Sequence, residues 1–113
     1  MAYTWKNIGP IENIPIQGAR RLCFSHKGRP IAVFRTAKGG VFALIDECPH
    51  RRGPLSEGII CGDTVTCPLH NWMIRLDDGT ALPPDEGRTN CLPVRIVGSE
   101  VHVGLPRAVE KAA

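Results

Sequence analysis

At 113 residues, with fourteen Lys and Arg against eleven Asp and Glu, the chain has the size of one domain with one modest core. The slight positive balance, with no basic stripe interleaved by aromatic residues, excludes a dedicated nucleic-acid surface, though a weakly basic patch would suit an acidic protein partner. Twelve Gly and ten Pro favour short strands and tight turns over long helices.

Met1 to Lys6 contain no apolar run of signal-peptide length, and no later segment reaches a membrane-spanning length, so a soluble, cytoplasmic chain is expected. Arg20-Arg21-Leu22-Cys23-Phe24 superficially resembles a twin-arginine signal, but Ser25-His26-Lys27-Gly28 stands where an apolar run is required. Leu22 to Phe24 predict a strand, followed by a turn over residues 26–30. Ile31-Ala32-Val33-Phe34 and Val41-Phe42-Ala43-Leu44-Ile45, separated by Lys38-Gly39-Gly40, predict a hairpin. From about Glu47 to Asn71, Pro and Gly crowd around Cys and His, which predicts an inserted loop-rich subdomain over about 47–71. The Asp77-Asp78-Gly79-Thr80 turn predicts re-entry into the sheet through a hairpin. Leu92 to Val97 then turn at Gly98-Ser99 into Val101-His102-Val103. No helical periodicity survives beyond a turn or two. The expectation is one all-β domain over 1–104 with a frayed or disordered tail over 105–113.

Cys48-Pro49-His50 and Cys67-Pro68-Leu69-His70 each offer one thiolate and one imidazole. Five cysteines cannot all pair, and without a secretory signal a metal role is favoured over a disulfide framework. A mononuclear zinc site admits this mixture, yet common structural zinc sites group Cys with Cys and His with His. A two-iron cluster suits it better, because in a Rieske centre two His replace two Cys on one iron. Neutral imidazoles in place of thiolates make the cluster less negative and raise its potential above that of an all-Cys cluster. The implied task is one-electron transfer. No nucleophile elbow, phosphate-binding loop or dinucleotide fingerprint is present, so the chain is not expected to be catalytic alone.

Around the four candidate ligands, Pro49 and Pro68 follow each Cys, and the glycines allow ligand loops to turn tightly. Arg51 and Arg52 follow His50, where they either tune the potential, meet an acidic partner or are merely solvated. Trp72 either packs, shields the cluster or faces a partner. Cys23, Cys61 and Cys91 are expected reduced and packed, His26 and His102 ordinary, and Asp85-Glu86-Gly87 an exposed acidic loop.

With those motifs in place, the chain resembles the Rieske superfamily, which implies stacked antiparallel sheets with a small cluster-binding subdomain at one end. High-potential members carry an extra Cys in each ligand loop, forming a disulfide. Gly53 and Leu69 stand at those positions, which implies a low-potential [2Fe–2S] cluster. The run Cys48 to Gly58, Cys67 to Leu76, Asp78-Gly79-Thr80-Ala81 and Asp85-Glu86-Gly87 is similar to the small subunit of assimilatory NAD(P)H nitrite reductase. That resemblance implies a large-subunit partner carrying flavin, an iron–sulfur cluster and sirohaem, which reduces nitrite to ammonium. Oxygenase-type Rieske ferredoxins usually have Gly after the second ligand His and a Phe-Asp pair soon after, where this chain has Asn71-Trp72 and Met73-Ile74-Arg75-Leu76. A stand-alone ferredoxin serving an aromatic-ring oxygenase and a purely structural subunit of a larger reductase are the alternatives. Some small subunits of this family lack the ligands altogether.

Overall fold

A computed structural model describes residues 3–22, 30–48, 54–69, 71–83 and 86–106. These hold ten strands in three antiparallel sheets. Strands β1 (Tyr3–Pro10), β9 (Val94–Val97) and β10 (Glu100–Pro106) form one sheet in the order β1-β10-β9. Strands β2 (Gly18–Leu22), β3 (Ile31–Arg35), β4 (Val41–Ile45) and β8 (Cys91–Leu92) form a second in the order β2-β3-β4-β8. The third is small: β5 (Ile59–Cys61), β6 (Thr64–Thr66) and β7 (Met73–Arg75). The all-β expectation is met.

Why β3 reads as a continuous apolar run follows from its position. Ile31, Val33, Ala43 and Ile45 pack on one face of the second sheet with Val101, Val103 and Leu105 of β10. Ala32, Phe34 and Leu44 pack on the other face with Ile60, Val65 and Ile74, the central residues of the three short strands. A strand buried on both faces has no reason to alternate apolar with polar. The second sheet is thus the middle layer, and its far face carries the small sheet.

The β3–β4 hairpin has Ala32 opposite Leu44 and Phe34 opposite Phe42. It closes through Thr36 N–H to the Gly40 carbonyl at 2.8 Å, with Gly39 at φ 92° in the left-handed region.

Several expectations need correction. The strand expected at Leu22 to Phe24 lies earlier, as β2, with Leu22 its last residue opposite Ile31; Cys23, Phe24 and His26 lie outside the described residues. The strand expected over Leu92 to Val97 is broken at Pro93, which has no N–H for a ladder. Leu92 pairs with Ala43 in the second sheet, whereas Val94 pairs with Val103 in the first. Leu105 and Pro106, expected in the tail, continue β10, and Leu105 is buried.

β1 has no counterpart in the sequence reading. Its Trp5 lies opposite Gly104, and the indole lies under the Arg95 guanidinium on β9, 4.2 Å from the ring centroid. The region from 47 to 71 is also less irregular than expected, because it holds β5 and β6. The turn at Asp77 to Thr80 is a hairpin, but it extends the small sheet through an Ile74–Ala81 bridge and does not return to the main one. In it Asp78 Oδ1 accepts from the Thr80 hydroxyl at 2.6 Å and the Thr80 N–H at 2.9 Å. Those bonds hold its carboxyl below the usual carboxylate range.

Candidate metal centre

Cys48 leaves the end of β4 and Cys67 leaves the end of β6, so the two loops start from different sheets. Both cysteines are 2% exposed, neither is in a disulfide, and both belong to one apolar core with Phe34, Leu44, Leu55 and Leu76. Cys61 and Cys91, expected to be packed, are instead exposed. Among the four described cysteines, burial in a shared core therefore singles out the two of the ligand motifs. Pro49, His50, Arg51, Gly53 and His70 lie outside the described residues, as do Arg52 and Asp85. Accordingly, among the described residues no group of three or more His, Cys, Asp or Glu side chains converges.

The second loop closes on itself. The Cys67 N–H donates to the Trp72 carbonyl at 2.7 Å and the Asn71 N–H to the Cys67 carbonyl at 3.1 Å. Two such bonds across six residues force a tight turn, and Asn71 supplies the left-handed conformation it needs, at φ 61°. Pro68 is exposed and Leu69 is 52% exposed, on the outer side of the loop. Trp72 is half-buried and packs against the core that holds both cysteines. Packing, one of its three readings, is what its position shows.

The first loop is held from behind by residues that the sequence reading did not single out. Leu55 is fully buried beside the cysteines. It begins a 3-10 turn, Leu55–Glu57, closed by Gly58 N–H to the Leu55 carbonyl at 2.9 Å. Asp46 is buried, and its carboxylate accepts from the Ser56 N–H at 2.7 Å and the Ser56 hydroxyl at 2.6 Å. Arg21 Nε lies 3.1 Å from the same carboxylate. The twin arginines of the sequence are thus structural: Arg20 donates to the Ile8 carbonyl at 2.8 Å, and Arg21 faces Asp46. The available signal was an acidic residue ending an apolar strand just before Cys48, but its partners are distant in sequence.

Gly58 sets how closely the chain after the 3-10 turn approaches β6. A Cβ there would sit 2.3 Å from the Thr66 carbonyl oxygen and 2.9 Å from Val65 Cγ2, and Thr66 directly precedes Cys67. Gly58→Ala is expected to cost about 1–3 kcal/mol through forced backbone displacement, read as a lower urea midpoint at unchanged slope. Because the displaced strand carries Cys67, the variant should also lose metal faster than the parent.

Two buried thiols at the mouths of two loops, each continuing in the sequence to a histidine, fit a cluster bound by mixed sulfur and nitrogen donors. The low-dielectric core around them is the kind of shell that controls solvent access and redox potential. Among the described residues no helix is long and apolar enough to cross a membrane.

Comparison with known proteins agrees with this chemistry. Residues 4–93 match the family model of the Rieske [2Fe-2S] domain. The 3-phenylpropionate/cinnamic acid dioxygenase ferredoxin subunit of Shigella boydii is 33% identical over 101 residues, covering 88% of this chain and 92% of that protein. The 4beta-methylsterol monooxygenase of Methylococcus capsulatus is 47% identical over 45 residues, but the match spans only 12% of that longer protein. Among solved structures, a chain designated the small subunit of an NADH-dependent nitrite reductase from Mycobacterium tuberculosis superposes with a TM-score of 0.83 at 20% identity, over 94% of this chain and 98% of that one. At that identity the likeness is one of fold. The chain belongs to the Rieske [2Fe–2S] domain family, an electron-transfer domain whose cofactor is a Rieske-type cluster.

Proposed function

We propose that the chain is the electron-transfer small subunit of an assimilatory NAD(P)H nitrite reductase, with Cys48, His50, Cys67 and His70 as its cluster ligands. The observation that carries the ligand assignment is the burial of Cys48 and Cys67 together in one core, while Cys61 and Cys91 are exposed. When bound, the cluster supplies one-electron transfer. Cys48 and Cys67 contribute the thiolates and His50 and His70 the imidazoles. The closed turn from Cys67 to Trp72 fixes the second loop, and Trp72 limits water on the inner side. Leu69, exposed and not a cysteine, leaves no interloop disulfide to be made with position 53, which supports a low-potential centre.

The nitrite reductase assignment draws on Asn71-Trp72, Met73 to Leu76 and the Asp85-Glu86-Gly87 loop, whose Glu86 and Gly87 are exposed as expected. Asn71 weighs less than the residues after it, because a left-handed position accepts Gly or Asn alike. The partner is then the large subunit with flavin, iron–sulfur and sirohaem groups. The second reading, a ferredoxin feeding an oxygenase, is favoured by the identity to the dioxygenase ferredoxin subunit.

Reconstitution separates them. The cluster-loaded chain is added to a sirohaem-containing large subunit and nitrite-dependent NAD(P)H oxidation is followed. The proposal expects a stable complex whose turnover falls to background when the chain is omitted or carries Cys67→Ala. Failure to bind, with efficient electron delivery to an oxygenase component, overturns it in favour of the ferredoxin. A complex equally active with Cys67→Ala makes the chain a structural subunit.

A further inference from the structure

We propose that Asp46 is a positioning residue for the first ligand loop. Its buried carboxylate latches the loop's two ends together and, through its unequal pairing with Arg21, biases the cluster toward its oxidised form. The proposal rests on the ligand assignment above and is independent of which partner the chain serves.

A carboxylate enclosed in protein costs several kcal/mol unless its lone pairs are satisfied, and an apolar residue would end an apolar strand without that cost. Asp46 is fully compensated: two donors from Ser56 and one from Arg21. Its own N–H donates to the Pro30 carbonyl at 2.8 Å, so the latch is anchored to the middle sheet. From there the chain bends at once, with Glu47 N–H bonded to the Ile45 carbonyl at 2.7 Å, and enters the loop carrying Cys48. Ser56 closes that loop next to Leu55, which is locked in the core. Asp46 and Ser56 therefore tie together the two ends of the segment that carries Cys48. Fixing both ends reduces the freedom that metal binding must otherwise remove.

The charges are asymmetric. The Asp46 side chain has no exposure, whereas that of Arg21 is 51% exposed. Water screens the arginine far more than the carboxylate, so their fields do not cancel inside the protein. With Cys48 two residues away, the residual field is negative and opposes the added electron.

The test uses the intact, cluster-loaded chain and reads two quantities, the midpoint potential and the rate of iron release to a chelator. Asp46→Asn should raise the potential. Arg21→Gln should lower it by a smaller amount, because the removed charge is the screened one. Ser56→Ala, which changes no charge, should speed release by about tenfold through loss of a charge-assisted hydrogen bond, with the smallest change in potential. Asp46→Glu should keep the potential near that of the parent but release iron faster. Opposite potential shifts from the two partners of one ion pair are not produced by general loosening of a fold. If Asp46→Asn does not retain its cluster, Arg21→Gln and Ser56→Ala still decide the matter. Equal or same-sign potential shifts, or release from Ser56→Ala at the parental rate, overturn the proposal. A parent chain with no Rieske spectrum would instead fail the ligand assignment.

Discussion

Cys67→Ala is expected to give a folded protein that binds no cluster, with complete loss of the visible absorption and of the reduced-state EPR signal of a Rieske centre. His50→Ala should behave the same way. The informative contrast is with Cys61→Ala and Cys91→Ala, which remove exposed thiols and should leave iron content and spectrum unchanged. A chain using its cysteines without distinction, for instance to bind zinc adventitiously, would lose metal in proportion to the number removed. Retention of the full signal in Cys67→Ala would refute the assignment, because no other described cysteine except Cys48 is buried.

The largest effect on stability is expected from Leu55→Ala. Leu55 has no exposure and lies in the same core as both ligand cysteines. Truncation should cost about 2–5 kcal/mol, since the site is bounded by the second and third sheets and has little room to collapse. A small domain has a total stability of about 5–15 kcal/mol, so much of it is at stake. The melting temperature should fall by about 4 °C or more for each kcal/mol lost. Because the cavity opens in the core that holds Cys48 and Cys67, iron release should accelerate in parallel. A large fall in melting temperature with unchanged release would mean that the loop is held without Leu55. In that case the Asp46–Ser56 tie would be the dominant restraint.

The parts of this architecture that could be read from sequence are those whose signals are local. The β3–β4 hairpin announces itself through two apolar runs and Gly39-Gly40. The Gly98-Ser99 turn likewise joins β9 to β10, with Gly98 at φ 63°. The ligand cysteines were legible because chemistry constrains their spacing to the neighbouring histidines. The strands of the small sheet were not, since each has three residues with only its central one, Ile60, Val65 or Ile74, buried. A period of two cannot be recognised in a single repeat. β1 escaped for a different reason: its apolar residues are sparse, and its register on β10 is interrupted between Asn7 and Pro10. The switch of sheet at Pro93 and the Arg21–Asp46 pair depend on residues far apart in the chain, which no local pattern encodes.

The merging of the two ligand cysteines into the core beneath the middle sheet has a consequence for the life of the polypeptide. A group that binds only the folded state stabilises it by an amount that grows with the logarithm of its supply. Here the bound group and the packed interior share the same walls, so a molecule awaiting its iron and sulfide has a less stable interior and opens more often. Such openings expose it to proteases, and even modest losses of stability change steady-state abundance several-fold. Cellular levels of this chain should therefore follow the output of cluster assembly, so that iron scarcity lowers electron flow by removing the carrier itself.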